Sequence, residues 1–441
     1  MHQQKKYSSY RYLIMASTLI CYWVLYYIIP NRESIISIFF ILFLLFAGYF
    51  FLMRKQLSHS DTNPILLKFG IALRFLPLLS IPLLSDDFYR FVWDGQLLVH
   101  NLNPFAHLPS DILEGGYVWT DSNVYHKMNS PLYYSVYPPV NQFVFWLSAL
   151  AGKGNLLYSV IILRLCIVAF DIGNLFLIKK ILWHQNLNPN LLYIYAFNPL
   201  VIIEFAWNLH FEAAMIFFTL LSVWLLLKNK NNWSAASFGL AICSKLIPLV
   251  FIPLLIRQMG WLKTLKYGFV ACIVTIALFY PFINNLQLLE NLFTSLKLYY
   301  GTFEFNGSFY QLFKYMGWKY LGYNPIFYTS KILILLSIAG FIIIYIKSKN
   351  IFEGIFLLLF VYCIFGAIVH PWYILPLVAF TPFVKWRFAV VWSALIGLSY
   401  YTYRIVPYQE STTLVIIEYT LLLGYIFYEA KYNKPKIRTV E

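Results

Sequence analysis

Two adjacent aspartates stand at the end of a long apolar segment, in "LSDDFYRFVWDGQLLVHNLNPF" (84–105). Asp86 and Asp87 are followed by Arg90 and Trp93, so a polar and aromatic cassette continues where a membrane helix would leave the bilayer. A carboxylate in such a place can take the proton from an acceptor hydroxyl as a general base. The alternative, a helix cap or a solvated interfacial charge, accounts for the aspartates but not for the residues that follow them.

Other side chains in the sequence suit the transfer of a group that leaves behind a phosphate. A lysine can stabilise the departing phosphate as a point charge, and an arginine can do so through a bidentate fork. Charged groups are costly at membrane depth and usually mark the path of a substrate. Loop charges, structural histidines and a lysine that snorkels to the interface are the alternatives. The remaining candidates are Glu204, Asn208, His210, Glu212, Lys245, His370 and Arg404.

The elements that must position these residues are membrane helices. The chain has 441 residues, of which 60% are hydrophobic and 12% charged, whereas about a quarter of the residues of a soluble domain are charged. Apolar windows recur along the whole sequence and predict an all-α, polytopic membrane protein with about 14 transmembrane or half-membrane segments. The predicted segments are 12–30, 35–53, 64–84, 155–178, 190–207, 211–228, 233–244, 246–257, 264–283, 326–346, 351–369, 371–384, 388–405 and 412–429.

The distribution of basic residues predicts the topology. The net charge of +15 does not require nucleic acid, because the cytoplasmic loops of membrane proteins collect lysine and arginine. If the N-terminus is cytoplasmic, most of the basic residues lie on the cytoplasmic side, and so does the C-terminus. The same rule favours a helix broken at Lys245 over one span through 233–257, and makes 137–152 a juxtamembrane helix on the outer leaflet. Two large outer loops follow, 85–154 and 284–325, and all the candidate residues lie on the outer face.

Several stretches in a consistent order resemble the GT-C superfamily of integral-membrane glycosyltransferases, and most closely the bacterial polyprenol-phosphate-mannose-dependent mannosyltransferases. They are "DDFYRFVWDG…NPF", "YPP", "NPLVIIEFAWNLHFEAA", "GLAICSKLIPLVFIPLL" and "HPWYILPL". The resemblance covers residues 64–385 and implies a GT-C fold with a single integral-membrane domain over 1–441. In this domain 1–63 forms two N-terminal spans, 64–385 the catalytic core, and 386–441 the C-terminal spans with a cytoplasmic tail.

The resemblance also implies roles for the candidate residues. The acidic motif of the family falls on Asp86-Asp87, and the spacing to Arg90 favours Asp87 as the catalytic base, with Asp86 as the alternative. The donor phosphate is assigned to Lys245, together with Arg90 and Arg404. The residues assigned to the sugar or the acceptor are Asn208, His210, Glu212, Glu204, His370 and Trp93.

Members of the superfamily differ in their need for a divalent metal ion, and no metal site is assigned from the sequence. If Mg²⁺ or Mn²⁺ is bound, the expected oxygen ligands are Asp86, Asp87 and Glu212. Because Lys245 and the arginines can neutralise a phosphate unaided, the sequence does not require a cofactor.

The functional hypothesis is the transfer of a hexosyl residue, mannosyl in the first place, from a polyprenyl-phosphate sugar with inversion. The acceptor is a glycan or glycolipid on the extracytoplasmic face of the bacterial inner membrane, and membrane lipid, not nucleic acid, is the further partner. The alternative is a lipid-linked glycan flippase or transporter, which should carry its charges near the bilayer midplane and show inverted repeats. A second rival, an O-antigen ligase or polymerase, fits the first-loop aspartates less well.

Overall fold

The computed structural model describes residues 2–57, 63–298, 303–348 and 350–432. The protein is 75% helical, and no β-strand forms among those residues. The helices are α1 (His2–Tyr27), α2 (Ile35–Gln56), α3 (Pro64–Phe75), α4 (Asp87–Val99), α5 (Pro109–Glu114), α6 (Ser122–Lys127), α7 (Pro139–Gly152), α8 (Leu156–His184), α9 (Leu192–Ala196), α10 (Pro199–Ile202), α11 (Glu212–Leu227), α12 (Asn231–Ile242), α13 (Ile252–Met259), α14 (Trp261–Phe279), α15 (Leu286–Leu298), α16 (Ser308–Leu321), α17 (Ile326–Lys347), α18 (Ile351–Ile364), α19 (Leu375–Phe380), α20 (Phe388–Leu395) and α21 (Thr412–Tyr432). Short 3₁₀-helices lie at Pro189–Leu191, Ile247–Phe251, Pro371–Ile374, Thr381–Phe383 and Ile396–Arg404, and a π-helix at Ile203–Trp207.

In the part of the chain that the structure describes, five helices are long and apolar enough to cross a membrane. They are Ile35–Gln56, Leu156–His184, Trp261–Phe279, Ile326–Lys347 and Thr412–Tyr432. The predicted segment 12–30 falls on α1, a helix of 26 residues. The remaining predicted segments are shorter helices, several of them continued by 3₁₀ turns. The prediction of an all-α, polytopic membrane protein is confirmed. Residues 433–441, in the expected cytoplasmic tail, lie outside the described residues.

The third predicted segment, 64–84, is helical only in its first half. α3 ends at Phe75, and the chain then runs through turns and bends until α4 begins. Pro77 and Pro82 explain this end, because proline has no backbone N–H to donate to the preceding turn. The non-helical stretch 76–86 therefore leads directly to the two aspartates.

Two further segments are broken where candidate residues lie. α12 ends just before Lys245, and the 3₁₀ turn Ile247–Phe251 follows, so a break is observed where the charge distribution predicts one. The pair Pro189–Ala196 and Pro199–Trp207 is bent by 56°. At this bend, the Asn198 side chain accepts the N–H of the second residue of α10 at 3.0 Å, which caps the new helix.

The first large loop, 85–154, contains the helices α4 to α7, in agreement with the predicted juxtamembrane helices. α4 packs on α7, α7 on α8, α8 on α11, and α11 on α12. At the crossing of α4 and α7, a Cβ atom on Gly95 would collide with the carbonyl oxygen of Phe145, so only glycine allows this close approach. This packing anchors the helix whose first residue is Asp87.

Candidate active site

The two adjacent aspartates have different partners. Asp86 accepts hydrogen bonds from Arg32 Nη1 at 2.8 Å and from the Tyr408 hydroxyl at 2.6 Å. Arg32 lies between α1 and α2, and Tyr408 lies just before α21. Asp86 therefore joins three distant segments of the chain, and its carboxylate is already used by an ion pair.

Asp87 accepts a hydrogen bond from Asn129 Nδ2 at 2.7 Å, and no ion pair reaches it from the described residues. Burial raises the pKa of the Asp87 carboxyl to about 6, and the hydrogen bond from Asn129 opposes this rise. The negative charges of Asp86 and Glu212 raise the same pKa further, whereas Lys245 lowers it. A carboxyl with this pKa is ionised at neutral pH and still basic enough to accept a proton.

Lys245, at the break after α12, lies beside Glu212, the first residue of α11. Its Nζ forms an ion pair with Glu212 Oε1 and lies 4.3 Å from the centroid of the Tyr373 ring. The side chain of Lys245 is 27% exposed and that of Glu212 only 4%, so the ammonium is the accessible member of the pair. Because both charges act on Asp87, these three predicted residues lie together.

Both predicted histidines stack on one indole. The ring centroids of His210 and Trp372 are 3.6 Å apart with an interplanar angle of 15°. Those of His370 and Trp372 are 4.3 Å apart with an angle of 5°. His370 Nδ1 also shares a hydrogen bond of 3.0 Å with the Tyr403 hydroxyl. Because both histidines are buried, their rings form a wall of the site and present little surface to a ligand.

Glu204 lies in a buried polar cluster on the π-helix Ile203–Trp207. Its Oε1 accepts hydrogen bonds from the Tyr400 hydroxyl and from Asn208 Nδ2, the latter at 3.1 Å. Its Oε2 lies 3.4 Å from His210 Nε2. Short π-helices of this kind are frequent at functional sites. Glu204, Asn208 and His210 are thus brought together, but their contacts are with one another inside the protein.

A buried arginine connects the two segments that carry the candidate residues. Arg164 donates hydrogen bonds from Nη1 to the Leu78 carbonyl and from Nη2 to the Ser80 carbonyl, both at 2.8 Å. Its Nε donates to the Ala206 carbonyl at 2.6 Å. The first two acceptors belong to the non-helical stretch 76–86 and the third to the π-helix. Arg164 therefore fixes the approach to the aspartates relative to the Glu204 cluster.

Two residues of the first-loop motif lie inside the protein, and their roles in donor and sugar binding stay predictions. Arg90 is 1% exposed, donates from Nε to Asp94 Oδ1 at 2.6 Å, and donates from Nη1 to the carbonyls of Ser130 and Tyr133 at 2.9 and 2.8 Å. These contacts engage Nε and Nη1, whereas Nη2 is buried and has no hydrogen-bond partner among the described residues. Trp93 is 2% exposed, so neither face of its ring is open to a sugar.

Arg404 ends the last 3₁₀-helix and is partly exposed. Its guanidinium lies 3.6 Å over the ring of Tyr401, and Nη1 donates to the carbonyl of the same residue at 3.0 Å. Within the described ranges it makes no hydrogen bond or ion pair with Asp87 or Lys245. Contact of Arg404 with the donor phosphate stays a prediction.

Several residues around the site were not predicted from the sequence: Arg32, Asn129, Tyr373, Tyr400, Tyr403 and Tyr408. Tyr373 stands in the "HPWY" stretch beside His370, so its proximity to the site had a local signal. The others lie far along the chain from the groups that they contact. No spacing within a single segment indicates such partners.

Two of the three carboxylates expected to hold a metal ion are engaged by cations of the protein. Asp86 is paired with Arg32, and Glu212 with Lys245. Among the residues that the structure describes, no group of three histidine, cysteine, aspartate or glutamate side chains is arranged to hold a metal ion. The set Asp86, Asp87 and Glu212 therefore does not fit a metal site in this arrangement.

Comparison with known families identifies the family of the chain. The family model described as the alpha-(1->6)-mannopyranosyltransferase N-terminal domain matches residues 15–260, more than half of the 441-residue chain. The match includes Asp86, Asp87 and Lys245, whereas His370 and Arg404 lie beyond it. A search of curated proteins finds no match. The chain therefore belongs to the alpha-(1->6)-mannopyranosyltransferase family, and mannosyl transfer is its activity.

Proposed function

We propose that this chain takes its mannosyl residue from a polyprenyl-phosphate mannose and transfers it to a hydroxyl of a glycan or glycolipid. The reaction takes place at the extracytoplasmic face of the bacterial inner membrane, with Asp87 as the general base. The observation that carries the proposal is a carboxylate without a cation partner, Asp87, that lies near the accessible ammonium of Lys245. Since nucleotide sugars are scarce outside the cytoplasm, a donor anchored in the bilayer supplies the sugar.

The transfer forms one bond and breaks another at the anomeric carbon. The acceptor oxygen attacks C1 of the mannosyl residue while an Asp87 carboxylate oxygen takes the hydroxyl proton. The C1–O bond to the phosphate breaks, and its electron pair leaves with the polyprenyl phosphate. Attack opposite the leaving group inverts C1, so the α-(1→6) product suggested by the family requires a β-linked donor. Lys245 stabilises the negative charge that the phosphate gains.

Glu212 prepares Lys245 for this role. The ion pair and the Tyr373 ring hold the ammonium in place before the donor arrives. When a donor phosphate reaches Lys245, the ammonium either pairs with the phosphate and Glu212 together or exchanges Glu212 for the phosphate. Because the Glu212 side chain is 4% exposed, it stays within reach of Lys245 and can pair with it again after the phosphate leaves.

Replacing Lys245 by glutamine is expected to raise the KM for the donor about tenfold or more, because a charge-assisted contact with the phosphate is lost. The turnover number falls as well, because the ammonium no longer stabilises the charge that the departing phosphate gains. Initial rates with polyprenyl-phosphate mannose and an alkyl α-mannoside as acceptor measure both constants. Lys319→Gln removes an exposed lysine on α16 and serves as the matched control. A donor KM that is the same in both variants contradicts the role of Lys245.

The rate of transfer is expected to fall on the acid side of about pH 6, because burial raises the pKa of Asp87 to that value. The base must be ionised to accept a proton, so kcat/KM is half-maximal near this pH and drops about tenfold for each further unit of acidification. The profile is measured at constant ionic strength, with thermal unfolding followed in parallel to exclude acid denaturation. A rate that stays constant well below this pH argues against Asp87 as the base.

The donor itself is tested with a panel of polyprenyl-phosphate sugars that carry mannose, glucose, galactose or arabinose. Purified protein in detergent is incubated with each sugar and the alkyl α-mannoside, and the remaining donor and the product are quantified. We expect only the mannosyl donor to be consumed, with a product one mannosyl residue larger. A flippase or transporter would move the lipid between leaflets of a vesicle without consuming it.

A further inference from the structure

We infer that Asn129 is a positioning residue that orients the proposed base, Asp87, through a side-chain hydrogen bond. The inference rests on the proposed function, since it takes Asp87 as the group that accepts the proton. The Asn129 amide Nδ2 donates to Asp87 Oδ1 at 2.7 Å. Asn129 lies in the segment between α6 and α7, about forty residues after the aspartate and outside its helix.

This hydrogen bond makes the two oxygens of the Asp87 carboxylate different. Oδ1 is occupied by the amide, whereas Oδ2 accepts no hydrogen bond from the residues that the structure describes. The carboxylate is thereby held with one oxygen open, and the open oxygen is the one that can accept the hydroxyl proton. A catalytic group held in one orientation reacts faster than one that rotates freely.

The chemistry of an amide suits this role better than that of a cation. Asp86 Oδ2 accepts hydrogen bonds from the charged Arg32 and from the Tyr408 hydroxyl, so this carboxylate is already engaged by a cation of the protein. Asn129 donates a hydrogen bond without bringing a positive charge. Asp87 is therefore oriented by its neighbour but keeps a basicity suited to accepting a proton near neutral pH.

Asn129 itself is exposed, and the neighbouring backbone keeps it in place. Arg90 Nη1 donates to the carbonyls of Ser130 and Tyr133 at 2.9 and 2.8 Å. Arg90 stands one turn after Asp87 in α4, so the two side chains leave the same side of the helix. The helix that carries the base also fixes, through Arg90, the segment that carries Asn129.

A second set of contacts holds the arginine. Asp94 Oδ1 accepts from Arg90 Nε at 2.6 Å, and Asp94 Oδ2 accepts from Ser135 Oγ at 2.5 Å and from Gln142 Nε2 at 3.1 Å. These groups are buried. The network therefore connects α4, the segment with Asn129, and α7 into one support for the base.

The charged groups that act on Asp87 come from several elements. Asp86 precedes it in the chain, Glu212 begins α11, and Lys245 follows α12. The two carboxylates raise the pKa of Asp87 and the ammonium lowers it. None of these groups changes when the Asn129 amide is removed, so the effect of that amide can be measured separately.

The inference is tested with Asn129→Ala and with Asn129→Gln, which keeps the amide on a longer side chain. In Asn129→Ala we expect the acid limb of the kcat/KM profile to move up by about one pH unit, because a hydrogen bond to the ionised form is lost. The rate at neutral pH falls about tenfold or more and partly recovers at higher pH. Asn129→Gln is expected to restore part of the lost rate and of the shift. Polyprenyl-phosphate mannose and the alkyl α-mannoside serve as donor and acceptor.

Asn123→Ala is the matched control, because Asn123 is an exposed asparagine in the same loop. An acid limb at the same pH in Asn129→Ala as in the parent and the control overturns the inference, even where the rate falls uniformly. Asp87→Asn is measured beside it. If Asp87→Asn is active, the assignment of the base has failed. If it is inactive while Asn129→Ala keeps the parental profile, only the role of Asn129 has failed.

Discussion

Replacing Asp87 by asparagine is expected to lower the turnover of mannosyl transfer by about 100- to 10,000-fold, the usual contribution of a general base. The amide has nearly the same shape as the carboxylate and can still accept the hydrogen bond from Asn129, but it cannot take a proton at neutral pH. Donor binding should change only a few-fold, because Lys245 and Glu212 are untouched. Turnover is measured with saturating polyprenyl-phosphate mannose, and donor affinity separately by equilibrium binding.

Two further variants make this result specific. Asp121→Asn changes an exposed aspartate of the same loop that caps α6, and asparagine caps a helix equally well, so its activity should equal that of the parent. Asp86→Asn removes the ion pair with Arg32 and should reduce stability more than turnover. If Asp87→Asn turns over normally and Asp86→Asn is inactive, the base is Asp86. If both variants are active, neither aspartate is the base.

Replacing Arg164 by alanine should destabilise the protein by on the order of 4 kcal/mol, because buried carbonyls lose their donors and a large side chain leaves a cavity. When the guanidinium is removed, the carbonyls of Leu78, Ser80 and Ala206 lose the donor that they share. The stretch 76–86 then loses its tie to the π-helix. We expect a clear fall in the apparent melting temperature in detergent and little folded protein at growth temperature.

Arg164→Lys separates the role of the positive charge from that of the planar guanidinium, which donates from three nitrogens. A lysine keeps the positive charge, but all its N–H donors lie on one nitrogen, whereas Arg164 donates from Nε, Nη1 and Nη2 of a planar guanidinium. We therefore expect partial stability and reduced turnover. Arg54→Ala, which removes an exposed arginine at the end of α2, should leave the melting temperature within a degree or two. An Arg164→Ala protein as stable as the Arg54→Ala control contradicts the role of this residue.

The helices could be predicted from the sequence wherever hydrophobicity alone determines that a segment is helical. A long apolar run must satisfy its own backbone hydrogen bonds in lipid, so runs such as 35–53 and 326–346 form helices whatever surrounds them. The break at Lys245 followed from the distribution of basic residues. The π-helix at Ile203–Trp207 was not predictable, because it depends on contacts with residues far along the chain. The end of α3 could have been predicted from Pro77, but hydropathy alone does not take proline into account.

For the site, the sequence indicated which segments meet but not which side chains face each other. Asp87, Glu212 and Lys245 are brought together, and the sequence predicts this because it assigns all three to the same face of the membrane. Arg90 shows the limit of this reasoning, since a conspicuous arginine next to an acidic motif is buried and supports a loop. Asn129 shows the converse, because nothing in the neighbouring sequence marks it as the partner of the aspartate that begins α4.

The matched family region ends at residue 260, yet the site is completed by the part of the chain that follows. Four contacts of the site cross this boundary and join a residue of the first part to an aromatic residue of the second. The pairs are Asp86 with Tyr408, Glu204 with Tyr400, His210 with Trp372, and Lys245 with Tyr373. Consider a chimaera that joins the first part of this chain to the second part of a relative. It will be active only if the second part carries all four of these aromatic residues.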